Sequence, residues 1–100
     1  MAQCEAKIEE KTLLKQQEPI MAEVIMLNDD YTPMDFVVQI LMSLFEKTNQ
    51  EALKIMLDVH QKGSGICGVY PYDIAELKCD QAIKESRQSG YPLDFKITYL

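Results

Sequence analysis

The residues able to do chemistry are few, and the most concentrated of them lie in one short stretch. Asn28, Asp29 and Asp30 stand in a row, followed by Tyr31 and Thr32, while His60 is the only imidazole and Cys4, Cys67 and Cys79 are the three thiols. Nucleophilic catalysis needs a thiol or hydroxyl beside a base, and a third group to orient that base. His60 and Cys67, separated by the Gly63 to Gly65 turn, come nearest to this, with Asp29 or Asp30 as the orienting group. No nucleophile elbow, phosphate-binding glycine loop or HExxH pattern accompanies them. Asp29, Asp30, His60 and a thiol make a conceivable zinc set, but the short ligand spacing of such sites is missing. No catalytic residue, metal or cofactor is therefore assigned. What remains is surplus negative charge at a turn, the chemistry that receives a cation.

Local elements must hold that turn. Met21 to Leu27 is a short, almost continuous apolar run, which predicts a strand buried on at least part of both faces. Asn-Asp-Asp then gives a strong turn signal. Thr32 is expected to cap a helix whose first residue is Pro33, with Asp35 completing a capping pattern. That helix is expected to run to about Lys47. Met34, Val37, Leu41 and Leu44 or Phe45 form its stripe, widened by Phe36 and Ile40.

Thr48 to Glu51 is a capping box that opens a second helix. Ala52, Ile55, Met56 and Val59 fall on one face of it, with His60 bordering that face in the last turn and Gly63 and Gly65 ending it. Gly65 to Tyr70 reads as a strand with Cys67 as a small core residue. Pro71 and Asp73 open a third helix to about Ser89, closed by Gly90, with Cys79 partly buried against the sheet. Leu93, Phe95, Ile97 and Tyr99 alternate with Asp94, Lys96 and Thr98, the pattern of a strand with one buried face and one wet face.

The order strand-helix-helix-strand-helix-strand predicts an α+β fold, a small three-stranded antiparallel sheet packed with three helices. One hundred residues make one domain. Residues 1–20 are charged and Gln-rich and are expected to form a flexible tail before a core domain of residues 21–100. The net charge of -6 disfavours nucleic acid as a partner. No apolar run approaches a membrane span, and no signal-peptide core is seen, so a cytoplasmic protein is the expectation. Three cysteines without CxxC spacing argue against a disulfide framework.

If the first two helices pack side by side, as their short link suggests, Met34 and Val37 approach Met56 and Val59 near the acidic turn, with His60 at the edge. The resulting hollow has an apolar floor and a rim of carboxylates, an amide and an imidazole. Its ligand should carry a positive charge close to a bulky apolar group. A free protein N-terminus beginning with a large hydrophobic residue has both.

The run Val24-Ile25-Met26-Leu27-Asn28-Asp29-Asp30-Tyr31-Thr32-Pro33-Met34-Asp35-Phe36-Val37 resembles the signature of the ClpS family, the substrate-recognition adaptors of the bacterial Clp protease. Met56 to Gly63 with Gly65 to Val69 resembles that family's second signature; Ala75-Glu76 and the Tyr91-Pro92-Leu93 strand extend the likeness over roughly residues 20–100. The resemblance implies a monomeric adaptor, not an enzyme, for proteins that begin with Leu, Phe, Tyr or Trp. It implies delivery to the N-terminal domain of the AAA+ unfoldase ClpA, which feeds the ClpP peptidase.

By the resemblance, Asn28, Asp29 and His60 hold the α-amino group and first peptide units, and Asp30 and Thr32 shape the rim. Met34, Val37, Met56, Val59 and Leu93 line the side-chain pocket. Asp73, where the family usually has Glu, and Lys78 belong to the unfoldase-docking surface, and the tail engages the unfoldase pore. The fold implied is similar to the C-terminal domain of the ribosomal stalk protein, so a stalk-like interaction domain without N-terminus binding is the alternative. Protonating His60 would set a cation beside a cation, so binding is expected to weaken below about pH 6.

Overall fold

The computed structural model describes residues 19–100. Most of the expected tail lies outside the described residues. The elements follow the expected order: β1 (Met21–Leu27), α1 (Met34–Ser43), α2 (Asn49–Lys62), β2 (Ser64–Pro71), α3 (Tyr72–Gln88) and β3 (Phe95–Tyr99). The strands form one antiparallel sheet in the order β2-β1-β3, with β1 at the centre.

β1 alternates without a break. Ala22, Val24 and Met26 are fully buried, while the residues between them are half-buried. The buried set meets Val37, Ile40, Leu41 and Phe45 of the α1 segment, Ala52 and Val59 of α2, and Ala75, Cys79 and Ala82 of α3 in one core. β2 carries a bulge: its register against β1 slips between Val24 and Ile25, passing over Cys67. The extra residue bends the strand locally, and Cys67 is fully buried there.

Two helix starts differ in origin. Thr48 caps α2 as expected: its hydroxyl accepts the Glu51 N–H at 3.1 Å, and the Glu51 carboxylate accepts the Thr48 N–H at 2.9 Å. Thr32 does not cap α1. The cap position is Pro33, which makes no side-chain bond, and the Asp35 carboxylate accepts from the adjacent Phe36 N–H at 3.0 Å. The physical reason is competition, because Asp29 has already taken Thr32.

α1 also ends earlier than its apolar stripe suggested. Glu46 lies in the left-handed region, φ 57°, and the Lys47 N–H turns back to the Leu41 carbonyl at 3.1 Å. The Lys78 ammonium donates to the freed Leu44 carbonyl at 2.7 Å, satisfying a helix-end acceptor from outside the helix. α3 and its closing Gly90, φ 84°, fall where expected. In β3 the alternation fixes sidedness but not coverage. Leu93 and Phe95 are buried, Ile97 half-buried, and Tyr99 exposed, where it stacks on Tyr72 at 5.3 Å between ring centroids.

Candidate functional site

The acidic turn is fixed from two sides by its backbone. The Leu27 N–H donates to the Asp94 carbonyl at 2.9 Å, and the Asn28 N–H donates to the Gly63 carbonyl at 3.0 Å. The first bond ties the turn to the approach to β3. The second ties it to the end of α2, one turn from His60. Gly63 can make this junction because it takes φ 90°, which closes the helix in the left-handed conformation that side chains disfavour. Inside the turn, the Asp29 carboxylate accepts from the Thr32 N–H at 2.8 Å and from the Thr32 hydroxyl. Asp29 is therefore oriented by the turn that it builds, and Thr32 is buried beneath it.

The remaining walls arrive from three other elements. Gly65 lets α2 approach β2 closely, since a Cβ there would stand 2.8 Å from Val59 Cγ2 and 3.2 Å from the Ile55 carbonyl oxygen. Leu93 is set by Arg87 on α3. The Arg87 guanidinium donates to the Tyr91 carbonyl at 3.1 Å, to the Leu93 carbonyl at 2.7 Å and to the Asp94 carboxylate. Phe36 of α1 packs edge-on to Tyr91, centroids 4.8 Å apart, which secures the same loop from the other side.

These constraints enclose a cavity of about 60 Å³ bounded by Asn28, Asp29, Thr32, Met34, Val37, Met56, Val59, His60 and Leu93, with Met26 at its floor. The five expected pocket residues stand together, and four of the five expected polar residues share their cavity. Asp30 is exposed and outside its wall. Met26 was missed as a lining residue, because the almost continuous apolar run of β1 marks burial without telling which face each residue takes. Arg87 was missed altogether: its partners lie only four to seven residues on, but two of the three are backbone carbonyls, which residue types do not mark.

The cavity is stiff at its base and soft at its mouth. Met26, Val37, Val59 and Leu93 are buried, whereas Met34 is 65% exposed and Met56 half-buried. The volume is small, and Met34 and Met56 border it with side chains that can turn aside to enlarge it. Unbranched thioethers do this readily.

Asp73 and Lys78 lie elsewhere, at the start and middle of α3. The Asp73 carboxylate accepts the Ile74 N–H at 3.0 Å, and the Lys78 ammonium, besides its bond to Leu44, stands 5.2 Å above the Tyr70 ring. Cys67 is no partner for His60, since it does not line the cavity and burial pushes its thiol up to about 12. Burial also raises the Cys79 thiol. Both shifts disfavour the thiolate that nucleophilic chemistry uses. Among the described residues no group of three or more His, Cys, Asp or Glu comes together as a metal site would require, and no helix is long and apolar enough to cross a membrane.

Comparison with known proteins identifies the family and the fold. Residues 17–96 match the family described as ATP-dependent Clp protease adaptor protein ClpS. The chain is 51% identical over 89 residues to the ATP-dependent Clp protease adapter protein ClpS of Wolinella succinogenes, covering 89% of this chain and 85% of that one. It is 58% identical over 79 residues to the ClpS adapter of Syntrophus aciditrophicus, covering 79% and 74%. Among solved structures, that of Agrobacterium tumefaciens ClpS2 bound to L-phenylalaninamide superposes with a TM-score of 0.80 at 34% identity, covering 83% of this chain and 100% of that one. The chain that folds the acidic turn, the two methionines and His60 around one cavity belongs to the ClpS family of Clp protease adaptors.

Proposed function

We propose that this adaptor recognises proteins whose first residue is Leu, Phe, Tyr or Trp and delivers them to the N-terminal domain of ClpA for degradation by ClpP. The observation that carries the reading is the single cavity with two chemistries. Met34, Val37, Met56, Val59 and Leu93 accept the side chain, while Asn28, Asp29 and His60 face the ammonium beside it. Phenylalaninamide, which the Agrobacterium relative binds, is a small ligand with that pairing. Asp30, exposed beside the turn, adds negative charge without contact, and Thr32 keeps Asp29 aimed.

The energetics favour modest affinity. Burying one Leu or Phe side chain contributes roughly 1.5–3 kcal/mol, and each hydrogen bond to the charged amine about 1.5–3 kcal/mol. Association costs at least several kcal/mol, which leaves binding in the micromolar range. Docking on ClpA would use the α3 face that bears Asp73 and Lys78. The test is fluorescence anisotropy with peptides that differ only in their first residue. Leu, Phe, Tyr and Trp should bind, Ala and Gly should not, and acetylating the amine should abolish binding. A stalk-like interaction domain would show no such preference, and that result would overturn the reading.

A further inference from the structure

A second hollow opens beside the first. It measures about 180 Å³ and is lined by Met34, Met56, Leu57 and His60. Three of these four also bound the 60 Å³ cavity, so the two spaces share one partition. Leu57 is the exception: it belongs to the larger hollow alone. It is 52% exposed, beside Leu53 at 44%. On α2, Leu53, Met56, Leu57 and His60 follow the i, i+3, i+4, i+7 spacing of one helical stripe. The core-facing stripe of the same helix holds Ala52, Ile55 and Val59. α2 thus carries a core-facing stripe and an exposed outer edge at Leu53 and Leu57, joined by Met56, which is half-buried and packs against the core. Single exposed apolar residues are ordinary; a contiguous set around a hollow joined to a binding cavity marks a contact surface.

We propose that this hollow is a second subsite, which takes one apolar side chain at position 2 or 3 of the same protein N-terminus. The proposal rests on the first cavity being the N-terminus site. Continuity names the occupant. A chain whose first side chain fills the 60 Å³ cavity continues outward from its edge, and Met34, Met56 and His60 border both that cavity and the larger hollow. Successive extended residues advance about 3.3 Å and point to alternate sides. The next side chains would then lie beside the hollow that Leu57 lines. The walls are apolar except for the His60 ring, so an aliphatic side chain is favoured and a carboxylate is not.

The test uses the full chain and peptides that begin with Leu, carrying Ala, Leu or Asp at position 2 or position 3. Replacing Ala by Leu at one of these positions should tighten binding about five- to tenfold, the partial burial of one aliphatic side chain. Asp at that position should weaken it. Leu57→Gln, an exposed helix-compatible change, should remove the gain and leave Leu-Ala-Ala affinity within about twofold of the original. Indifference at both positions would overturn the proposal, as would a gain that survives Leu57→Gln. Leu57→Gln weakening Leu-Ala-Ala itself would overturn it too, by assigning the hollow to the first side chain. Equal binding of Leu-first and Ala-first peptides, or of free and acetylated ones, would remove the parent reading as well, so the two failures are distinguishable in one titration series.

Discussion

Gly65→Ala tests whether the cavity depends on how closely α2 lies against β2. The added methyl would stand 2.8 Å from Val59 Cγ2, 3.2 Å from the Ile55 carbonyl oxygen and 3.4 Å from Ile55 Cγ2. Neither near neighbour can yield cheaply. Val59 is β-branched and held to one rotamer in a helix, it is only 6% exposed, and the Ile55 carbonyl is helix backbone. The helix must therefore move by a few tenths of an ångström. Overpacking of this kind costs about 1–3 kcal/mol, or roughly 4–8 °C in Tm per kcal/mol for a domain of this size. Because Val59 is also a cavity wall, the same movement should weaken Leu-first peptides about three- to tenfold, a change of about 0.7–1.4 kcal/mol. Gly90→Ala is the control. That glycine has φ 84° and open space within 4 Å of the position its methyl would take, so it should lose about 1–2 kcal/mol to left-handed strain and bind peptide normally. Urea unfolding gives the stabilities and anisotropy the affinities. If Gly65→Ala were destabilised yet bound peptide as tightly as the parent, the close approach of α2 would serve stability alone.

Other perturbations separate the remaining parts of the structure. Met34→Ala should admit Ile-first peptides, whose β-branch otherwise meets the Met34 side chain at the mouth; since Met34 is 65% exposed, stability should change by no more than about 0.5 kcal/mol. Continued refusal of Ile in the anisotropy assay would mean that another residue is the gate. Thr48→Ala removes the hydroxyl that accepts the Glu51 N–H at 3.1 Å and should cost about 1 kcal/mol in urea unfolding, without altering peptide affinity. The Cys67 thiol, pushed from 9.0 up to about 12 by burial, favours the neutral form in the folded state. Its contribution is present in full below pH 9 and is lost as pH rises toward 12. Relative to Cys67→Ala, the parent should therefore lose stability between these values, and parallel pH profiles for the two would contradict the shift.

What the sequence made legible depended on how local the physics was. The Thr48 to Glu51 capping box is complete within four residues, and the structure forms it in full. The Thr32 pattern looked equally local, but Asp29 lay within reach of the same groups. A carboxylate accepting both the N–H and the hydroxyl of Thr32 is a stronger arrangement than a neutral cap. The end of α1 was hidden for another reason. Its apolar periodicity continues through Leu44 and Phe45, while the reversal at Glu46 is supported by Lys78 from α3. Alternation likewise identified the core side of β3 but not how far the helices extend along it, which is why Tyr99 emerges exposed.

The site divides along the same line, and the division bears on how it works. On the proposed reading the ligand's ammonium is common to every substrate. Asn28 and Asp29, proposed to face it, stand on a turn fixed by hydrogen bonds: the Asn28 N–H to the Gly63 carbonyl, the Leu27 N–H to the Asp94 carbonyl, and the Thr32 N–H to the Asp29 carboxylate. The first two of these bonds join segments distant in sequence, so residue types could suggest the lip but not its anchors. The proposed first side chain, by contrast, differs between Leu and an aromatic ring, and the residues proposed to meet it at the mouth are Met34, which is exposed, and Met56, which is half-buried. A rigid lip lowers the ordering cost of gripping the invariant charge. A deformable mouth spreads acceptance over several shapes at some cost in affinity for any one of them. Stiffening the mouth should therefore narrow the set of accepted first residues before it weakens the best of them, whereas loosening the lip should weaken them all alike.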